Sequence, residues 1–145
     1  MRLTWHNYRY YPYERDLASR EIKALLSPES QLEVDDGIEV HKSMSSDQAS
    51  RLTYFSGAIN GHGFVPTIQG QLEVAGRNGM KKQATRYSVH GMHEYKGKFN
   101  PQVVRALLNI FGVQPGQSVL DPFCGSGTTL VECAHLGASG VGTDI

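Results

Sequence analysis

A chain of 145 residues has the size of one domain and can bury enough surface for a single core. Its 14 basic and 14 acidic side chains give a formal net charge of zero, so bulk charge supplies no argument for nucleic-acid binding, although local basic patches remain compatible with it. The sequence has no apolar run of about 18 residues and no apolar leader core, so it predicts neither a transmembrane helix nor a secretory signal.

The two cysteines, Cys124 and Cys133, are too few for a disulfide framework, and a reducing cytoplasm is the expected compartment. His90 and His93 are three residues apart, but no second ligand pair accompanies them in the sequence. Spacings such as C-x-x-C are also absent from the sequence, which therefore predicts no metal site.

Residues 1–13 are rich in aromatic side chains, with Arg2 and Arg9 between them. The aromatic members are Trp5, Tyr8, Tyr10, Tyr11 and Tyr13. This composition is typical of an aromatic packing strip and also of a base-stacking surface, and we favour packing. Apolar residues then recur at helical spacing, which predicts a helix over residues 14–27 that ends before Pro28.

Between residues 31 and 75 the apolar period changes to two, which predicts strands. Alternating apolar residues on both sides of Asp36-Gly37 predict a hairpin. The further strand candidates are Leu52, Tyr54 and the stretch from Phe64 to Val74, which is interrupted by a glycine and by Pro66. We therefore assign residues 1–87 to an N-terminal α+β region of unknown role.

A basic stretch follows over residues 76–87, and Lys96 and Lys98 extend it against a single acid, Glu94. Its basic members are Arg77, Lys81, Lys82 and Arg86. The stretch is either a solvated face or a rim that contacts phosphates.

Residues 88–145 show the order helix, strand, helix, strand. Asn100 as N-cap and Pro101 at the first helical position start the first helix. The later elements are a strand at 118–121, a helix at 128–136 and a strand at 139–144. This order predicts an α/β fold, the opening half of a Rossmann-like doubly wound sheet.

The loop at residues 121–129, Asp-Pro-Phe-Cys-Gly-Ser-Gly-Thr-Thr, joins the first of these strands to its helix. Gly125 and Gly127 leave bare backbone, so that amides can approach a ligand closely. A P-loop requires a lysine after its second glycine, but Thr128 stands there. A dinucleotide fingerprint requires a third glycine where Leu130 stands, which weakens that interpretation without excluding it.

Asp121 favours S-adenosylmethionine, because a carboxylate repels a pyrophosphate but pairs with an amino group. The helix start near Thr128 suits the carboxylate of that cofactor, an interaction worth ~0.3–1 kcal/mol from the helix dipole. Asp144 ends the next strand, and in a β-α-β unit it reaches the same edge, where it can accept hydrogen bonds from ribose hydroxyls. The alternative is that Asp144 simply ends a strand in a turn.

Residues 121–129 resemble the cofactor motif of the amino-group DNA methyltransferases, which act on cytosine N4 or adenine N6. Residues 140–145 resemble the ribose-binding strand of that family, and residues 93–102 resemble the segment that closes over the methionine end. By resemblance, Asp121 holds the amino group and Asp144 the ribose of S-adenosylmethionine. The other implied cofactor-binding residues are Lys98, Phe99, Pro122, Phe123, Gly125, Gly127, Thr128 and Thr129.

The catalytic motif of that family, [Asp/Asn/Ser]-Pro-Pro-aromatic, holds the flipped base, and the sequence contains no Pro-Pro dipeptide. We therefore predict no catalytic residue in this chain and no methylation of DNA by the chain alone. The motif is expected in a missing C-terminal part or in a second chain.

Two alternatives stay open. The tRNA guanine-N2 methyltransferases share a very similar Asp-Pro-Phe-x-Gly-x-Gly-Thr loop, which makes RNA the alternative substrate. The second alternative is that the chain is a non-catalytic subunit or remnant that modifies nothing by itself.

Overall fold

The computed structural model describes residues 1–41, 46–74, 85–92 and 96–145. The elements of its N-terminal part are β1 (Arg2–Trp5), α1 (Pro12–Leu26), β2 (Ser30–Val34), β3 (Gly37–His41), α2 (Ser46–Ser50), β4 (Phe55–Asn60), β5 (Gly63–Pro66) and α3 (Ile68–Val74). Within these described ranges, no helix has both the length and the apolar character needed to cross a membrane.

The N-terminal strands form one antiparallel sheet in the order β2-β3-β1-β4-β5. β3 lies between β1 and β2, and the chain order from β1 to β4 is β-α-β-β-α-β, which is the ferredoxin-like arrangement. The β2–β3 hairpin predicted around Asp36-Gly37 is confirmed, with Val34 paired to Gly37. The α1 helix covers one face of the sheet, where Ala18 and Ile22 are buried against Leu3.

Helix α1 confirms the prediction for residues 14–27 and begins two residues earlier. Pro12 occupies the first turn, and Glu14 Oε2 accepts a hydrogen bond from the Tyr11 N–H at 2.7 Å. The helix ends at a left-handed residue, Ser27 (φ 41°), before Pro28.

The aromatic N-terminus is mainly a packing strip, as favoured from the sequence. Trp5 stacks on Phe55 with ring centroids 4.3 Å apart, and the Tyr10 hydroxyl donates to the Tyr54 carbonyl at 2.6 Å. Tyr8 packs on Tyr10. The two remaining aromatics, Tyr11 and Tyr13, are exposed and stack on each other.

One strand prediction is wrong, and another is confirmed only in its first part. Leu52 and Tyr54 lie in a buried turn segment before β4. The predicted strand from Phe64 to Val74 ends at Pro66, because the next residues form α3. This helix starts where Thr67 Oγ1 accepts the Gly70 N–H at 2.9 Å, which satisfies one of the unpaired donors of the first turn.

The remaining elements are a 3-10 helix (Ser88–Gly91), α4 (Pro101–Ile110), β6 (Ser118–Asp121), α5 (Thr128–His135) and β7 (Ser139–Gly142). The predicted order of helices and strands after residue 100 is confirmed. β6 and β7 pair in parallel, and α5 connects them on one face. The chain as a whole has a mixed α/β fold.

Helix α4 joins the two parts of the molecule. Ala106 belongs to the core of the N-terminal sheet, while Val104 and Leu108 belong to a second core with Cys133 and Leu136. α4 therefore packs on α1 with one side and on α5 with the other.

Two predictions concern residues outside the described ranges. They fall on Arg77, Lys81 and Lys82 of the basic stretch, and on residues 93–95 of the segment expected to close over the methionine end. Arg86 and Lys96, which belong to the same basic region, are exposed.

Candidate cofactor-binding site

The loop at residues 121–129 leaves the carboxyl end of β6 and enters α5. Gly125 (φ 49°) and Gly127 (φ 77°) adopt left-handed backbone conformations that favour glycine. The turn closes when the Gly127 N–H donates to the Cys124 carbonyl at 2.8 Å. Gly127 is the N-cap of α5 and offers no side chain there, so the first N–H groups of the helix face the loop.

A cleft of about 470 Å³ opens above this loop. Its lining consists of Gly97, Lys98, Phe99, Val104, Leu107, Leu108, Phe111, Val119, Asp121, Phe123, Cys124, Gly125, Ser126, Thr128 and Thr129. Apolar side chains from α4 face polar groups from the loop across it. This size and mixture suit a small ligand with a charged end and an apolar end.

Seven of the ten residues implied by the sequence line this cleft: Lys98, Phe99, Asp121, Phe123, Gly125, Thr128 and Thr129. Pro122 and Gly127 belong to the same loop but are not among the lining residues. Asp121 also shapes the loop, because its Oδ1 accepts the Phe123 N–H at 3.1 Å.

Asp144 lies at the same edge of the sheet as Asp121, although it is not among the residues that line the cleft. Asp121 pairs with Gly142 in the parallel register, which places Asp144 just past that edge. Thr143 ties this end to the loop: its N–H donates to the Asp121 carbonyl at 3.0 Å, and its carbonyl accepts the Cys124 N–H at 3.0 Å. The two carboxylates predicted to act together are thus brought to one edge.

The sequence did not identify the α4 wall of the cleft. Val104, Leu107, Leu108 and Phe111 form an apolar stripe at helical spacing, and they line the cleft. Phe111 is 78% exposed at the end of its helix. An aromatic residue at the edge of an apolar stripe is the feature of the sequence that could have indicated this wall.

Lys98 and Phe99 stand at the mouth of the cleft. The Lys98 ammonium donates to the His90 carbonyl, while Phe99 is 59% exposed. Partial burial, together with the nearby charge of Arg86, lowers the pKa of Lys98.

A buried group of side chains lies behind the cleft. One ligand-type atom each from His90, Glu132 and His135 lies within 4.8 Å of the others, a spacing that could hold a metal ion. However, Arg105 already donates to Glu132, and its positive charge opposes a cation at the same place. The expectation of no metal site stays a prediction.

The comparisons with known proteins concern this half of the chain. The family model of the RMKL-like methyltransferase domain matches residues 91–143. The type II methyltransferase M.MjaII of Methanocaldococcus jannaschii is 50% identical over 66 residues, which cover 45% of this chain and 12% of that protein.

Two further relatives match over similar segments. The type II methyltransferase M.BsoBI of Geobacillus stearothermophilus is 41% identical over 58 residues, 40% of this chain and 11% of that protein. A tRNA (guanine(10)-N2)-dimethyltransferase of Methanothermobacter thermautotrophicus is 43% identical over 51 residues, 35% of this chain and 15% of that protein. The matched segment is similar to methyltransferases, and the chain spans only between about a tenth and a seventh of the length of these relatives.

Proposed function

We propose that the chain supplies the S-adenosylmethionine-binding part of a methyltransferase that acts on an exocyclic amino group of a DNA base. The observation that carries this proposal is the cleft between the 121–129 loop and α4, in a segment similar to methyltransferases. A carboxylate, a helix start and an apolar wall surround this cleft. Those groups match the amino group, the carboxylate and the apolar parts of S-adenosylmethionine.

The proposed roles follow the chemistry of each side chain. Asp121 accepts hydrogen bonds from the cofactor's amino group, Thr128 and Thr129 lie at its carboxylate, and Asp144 binds the ribose hydroxyls. Lys98 borders the methionine end. The other proposed contacts are Phe99, Pro122, Phe123, Gly125 and Gly127. When bound, the cofactor supplies an electrophilic methyl group, and the chain contributes alignment and exclusion of water.

We further propose that β6 and β7 are the first strands of a doubly wound sheet, and that the chain divides at residue 88 into an N-terminal region and this partial domain. The parallel pairing of β6 with β7 across α5 supports the proposal. The two thiols, Cys124 and Cys133, are free, which supports a reducing cytoplasm.

The catalytic Pro-Pro-aromatic motif is absent from the sequence, so we expect a second chain or a further segment to supply it. The 145-residue chain should therefore transfer no methyl group to mixed duplex DNA by itself. A radiolabelled methyl-transfer assay tests this expectation, and incorporation above the level without protein would refute it. A chain that binds the cofactor but remains inactive with every partner would instead be a non-catalytic subunit.

A second substrate class is favoured by one observation, the 43% identity over 51 residues to a tRNA methyltransferase. In that case the same cleft serves a guanine N2 amine in RNA. Binding of duplex DNA and of tRNA, each measured in the presence of S-adenosylhomocysteine and at the same salt concentration, separates the two substrate classes.

Calorimetric titration with S-adenosylmethionine tests the cofactor assignment. Wild-type protein should bind the cofactor, and Asp121→Ala should abolish measurable binding because the amino group loses its charged partner. Asp16→Ala is the matched control, since Asp16 is an exposed carboxylate that pairs with Arg20 on α1. Unchanged affinity in Asp121→Ala would remove Asp121 from this role.

A further inference from the structure

The carboxylate of Glu132 lies behind the cleft, where three elements meet. Glu132 is fully buried, and its Oε1 accepts hydrogen bonds from the Tyr87 hydroxyl at 2.9 Å and from His90 Nε2 at 2.6 Å. Its Oε2 accepts a hydrogen bond from Nε of Arg105, also fully buried, at 2.6 Å. One side chain of α5 therefore holds both the 3-10 helix and α4. We name these four residues the Glu132 cluster.

Three residues of the Glu132 cluster, namely Glu132, Arg105 and His90, are each connected to a residue that lines the cleft. Glu132 lies one helical turn after Thr128 on α5. Arg105, which donates to Glu132, directly follows Val104 on α4. The carbonyl of His90 accepts the hydrogen bond from the Lys98 ammonium. Thr128, Val104 and Lys98 all line the cleft. The Glu132 carboxylate therefore connects the three segments that carry these lining residues.

Charge distinguishes Glu132 from Glu21, another fully buried glutamate. Burial by itself raises the pKa of Glu132, but the hydrogen bond from His90 and the charge of Arg105 lower it further than burial raises it. Glu21 is equally buried, yet its hydrogen-bond partners Thr53 and Asn109 are neutral, and burial raises its pKa. Glu132 is thus held as a carboxylate ion.

A buried ion pair is a poor way to stabilise a fold, because apolar residues of the same volume often stabilise it equally well. What a carboxylate that accepts hydrogen bonds on both oxygens does provide is a fixed geometry, although Nη1 and Nη2 of Arg105 have no hydrogen-bond partner among the described residues. In the Glu132 cluster this geometry extends to the ring of Tyr87, which lies 5.6 Å from the guanidinium carbon of Arg105. The place of the cluster behind the cleft indicates what that geometry serves.

We propose that Glu132 is a positioning residue for the cofactor: through His90 and Arg105 it holds the Lys98 segment and α4 against the start of α5, and so sets the affinity of the cleft. This inference rests on the proposed function. Replacing the carboxylate by an amide leaves the guanidinium without its charged partner and weakens the hold on His90. Lys98 then loses its fixed position at the mouth of the cleft.

The test is a double-mutant cycle on the affinity for S-adenosylmethionine, measured by calorimetry. Glu132→Gln should weaken binding roughly tenfold, the effect expected for a hydrogen bond to a charged group. Lys98→Met should weaken binding as well. The double variant should bind S-adenosylmethionine no more than about twofold more weakly than the single variant with the lower affinity, because both changes remove the same arrangement. A merely structural role for Glu132 predicts multiplied effects instead.

Two further variants separate positioning from folding. Glu21→Gln changes an equally buried glutamate that bonds to α4 through Asn109 but lies outside the cleft, and it should leave the affinity unchanged. Tyr87→Phe removes a single hydrogen bond to Glu132 and should weaken binding about threefold while the protein stays folded.

Hydrogen exchange supplies a readout that needs no ligand. In Glu132→Gln the amides of residues 87–92 should exchange faster than in wild type, and in Glu21→Gln they should not. Wild-type protein that fails to bind S-adenosylmethionine overturns the proposed function. Wild-type binding together with unchanged affinity in Glu132→Gln and Tyr87→Phe, or unchanged exchange in residues 87–92, overturns the positioning role alone.

Discussion

At the scale of single residues, the cleft depends on a close approach of β7 to α5. A Cβ atom at Gly140 would lie 2.8 Å from the Leu130 Cα, and one at Gly142 would lie 2.7 Å from the Cys124 Cβ. Both distances are shorter than van der Waals contact between carbon atoms, so a side chain at either position forces its neighbour to move. These glycines let the strand approach the helix and the loop that form the cleft.

Gly140→Ala should lower the free energy of unfolding by about 1–3 kcal/mol, because the atom it meets belongs to the α5 backbone and cannot rotate aside. Urea denaturation measures the change. Gly61→Ala is the matched control, since a Cβ there meets no heavy atom within 4 Å among the described residues. Its effect should stay within about 0.5 kcal/mol, and equal losses in the two variants would contradict the packing argument.

The residues that form the cleft and those that support it differ in how far the sequence predicts them. The 121–129 loop could be identified because its acid, its glycines and its threonines are contiguous and each has a chemical reason at its place. Glu132 and Arg105 are 27 residues apart and meet only after α4 packs on α5. The sequence predicts both helices, but it carries no information on which polar residues become enclosed between them.

At the scale of elements, α4 has the central place, because it contributes to both cores and to the wall of the cleft. Its start was predicted from Asn100 and Pro101, and the structure confirms both positions. The Asn100 side chain accepts the Gln102 N–H at 2.9 Å, which satisfies one of the donors that a helix start leaves unpaired.

Asn100→Ala should destabilise the protein by about 1 kcal/mol, because the first turn of α4 loses its cap. Asn100→Ser keeps an oxygen that can accept the same hydrogen bond and should recover most of the loss. Thermal unfolding of the three proteins checks the order, with wild type highest and the alanine variant lowest. A serine variant as unstable as the alanine variant would show that other contacts of Asn100 matter more.

Helix α3 shows why an element can be missed. Residues 64–74 contain apolar residues compatible with a strand, and the helix is set by tertiary contacts instead. Gly70 packs so closely on β4 that a Cβ would lie 2.1 Å from the Ser56 carbonyl oxygen. Glu73 accepts hydrogen bonds from Gln69 at 2.7 Å and from Gln102 of α4 at 2.9 Å. The local feature that favours a helix here is Thr67, which caps the first turn.

At the scale of the whole molecule, buried polar groups join the N-terminal sheet to the methyltransferase-like segment. Asn109 of α4 donates to Glu21 Oε1 at 2.7 Å and to the Arg51 carbonyl at 2.9 Å. His6 Nδ1 lies 3.3 Å from Glu73 Oε2, in a buried site where the His6 ring also stacks on Tyr8. Because these groups must be desolvated on folding, the stability of the molecule depends on pH.

His6 contributes a loss of stability in mild acid. Burial lowers the pKa of His6 to about 4 from its ordinary value of 6.5. As the pH falls from about 6.5 to about 4, the unfolded chain takes up a proton that the folded protein refuses, so the free energy of unfolding falls. His6 should account for a loss of about 2–3 kcal/mol across this range. Burial raises the pKa of Glu21 and Glu73, and these groups act in the opposite direction.

Comparison of wild type with His6→Gln isolates this contribution, because both glutamates are present in both proteins and largely cancel. Urea denaturation measures the unfolding free energy of each protein. As the pH is lowered from 7.5 to 4.5, wild type should lose more unfolding free energy than His6→Gln. His62→Gln, which changes an exposed histidine, should follow wild type throughout. Parallel curves for wild type and His6→Gln would mean that His6 takes up its proton equally in the folded and unfolded states, and that the polar site beside Glu73 admits the charge.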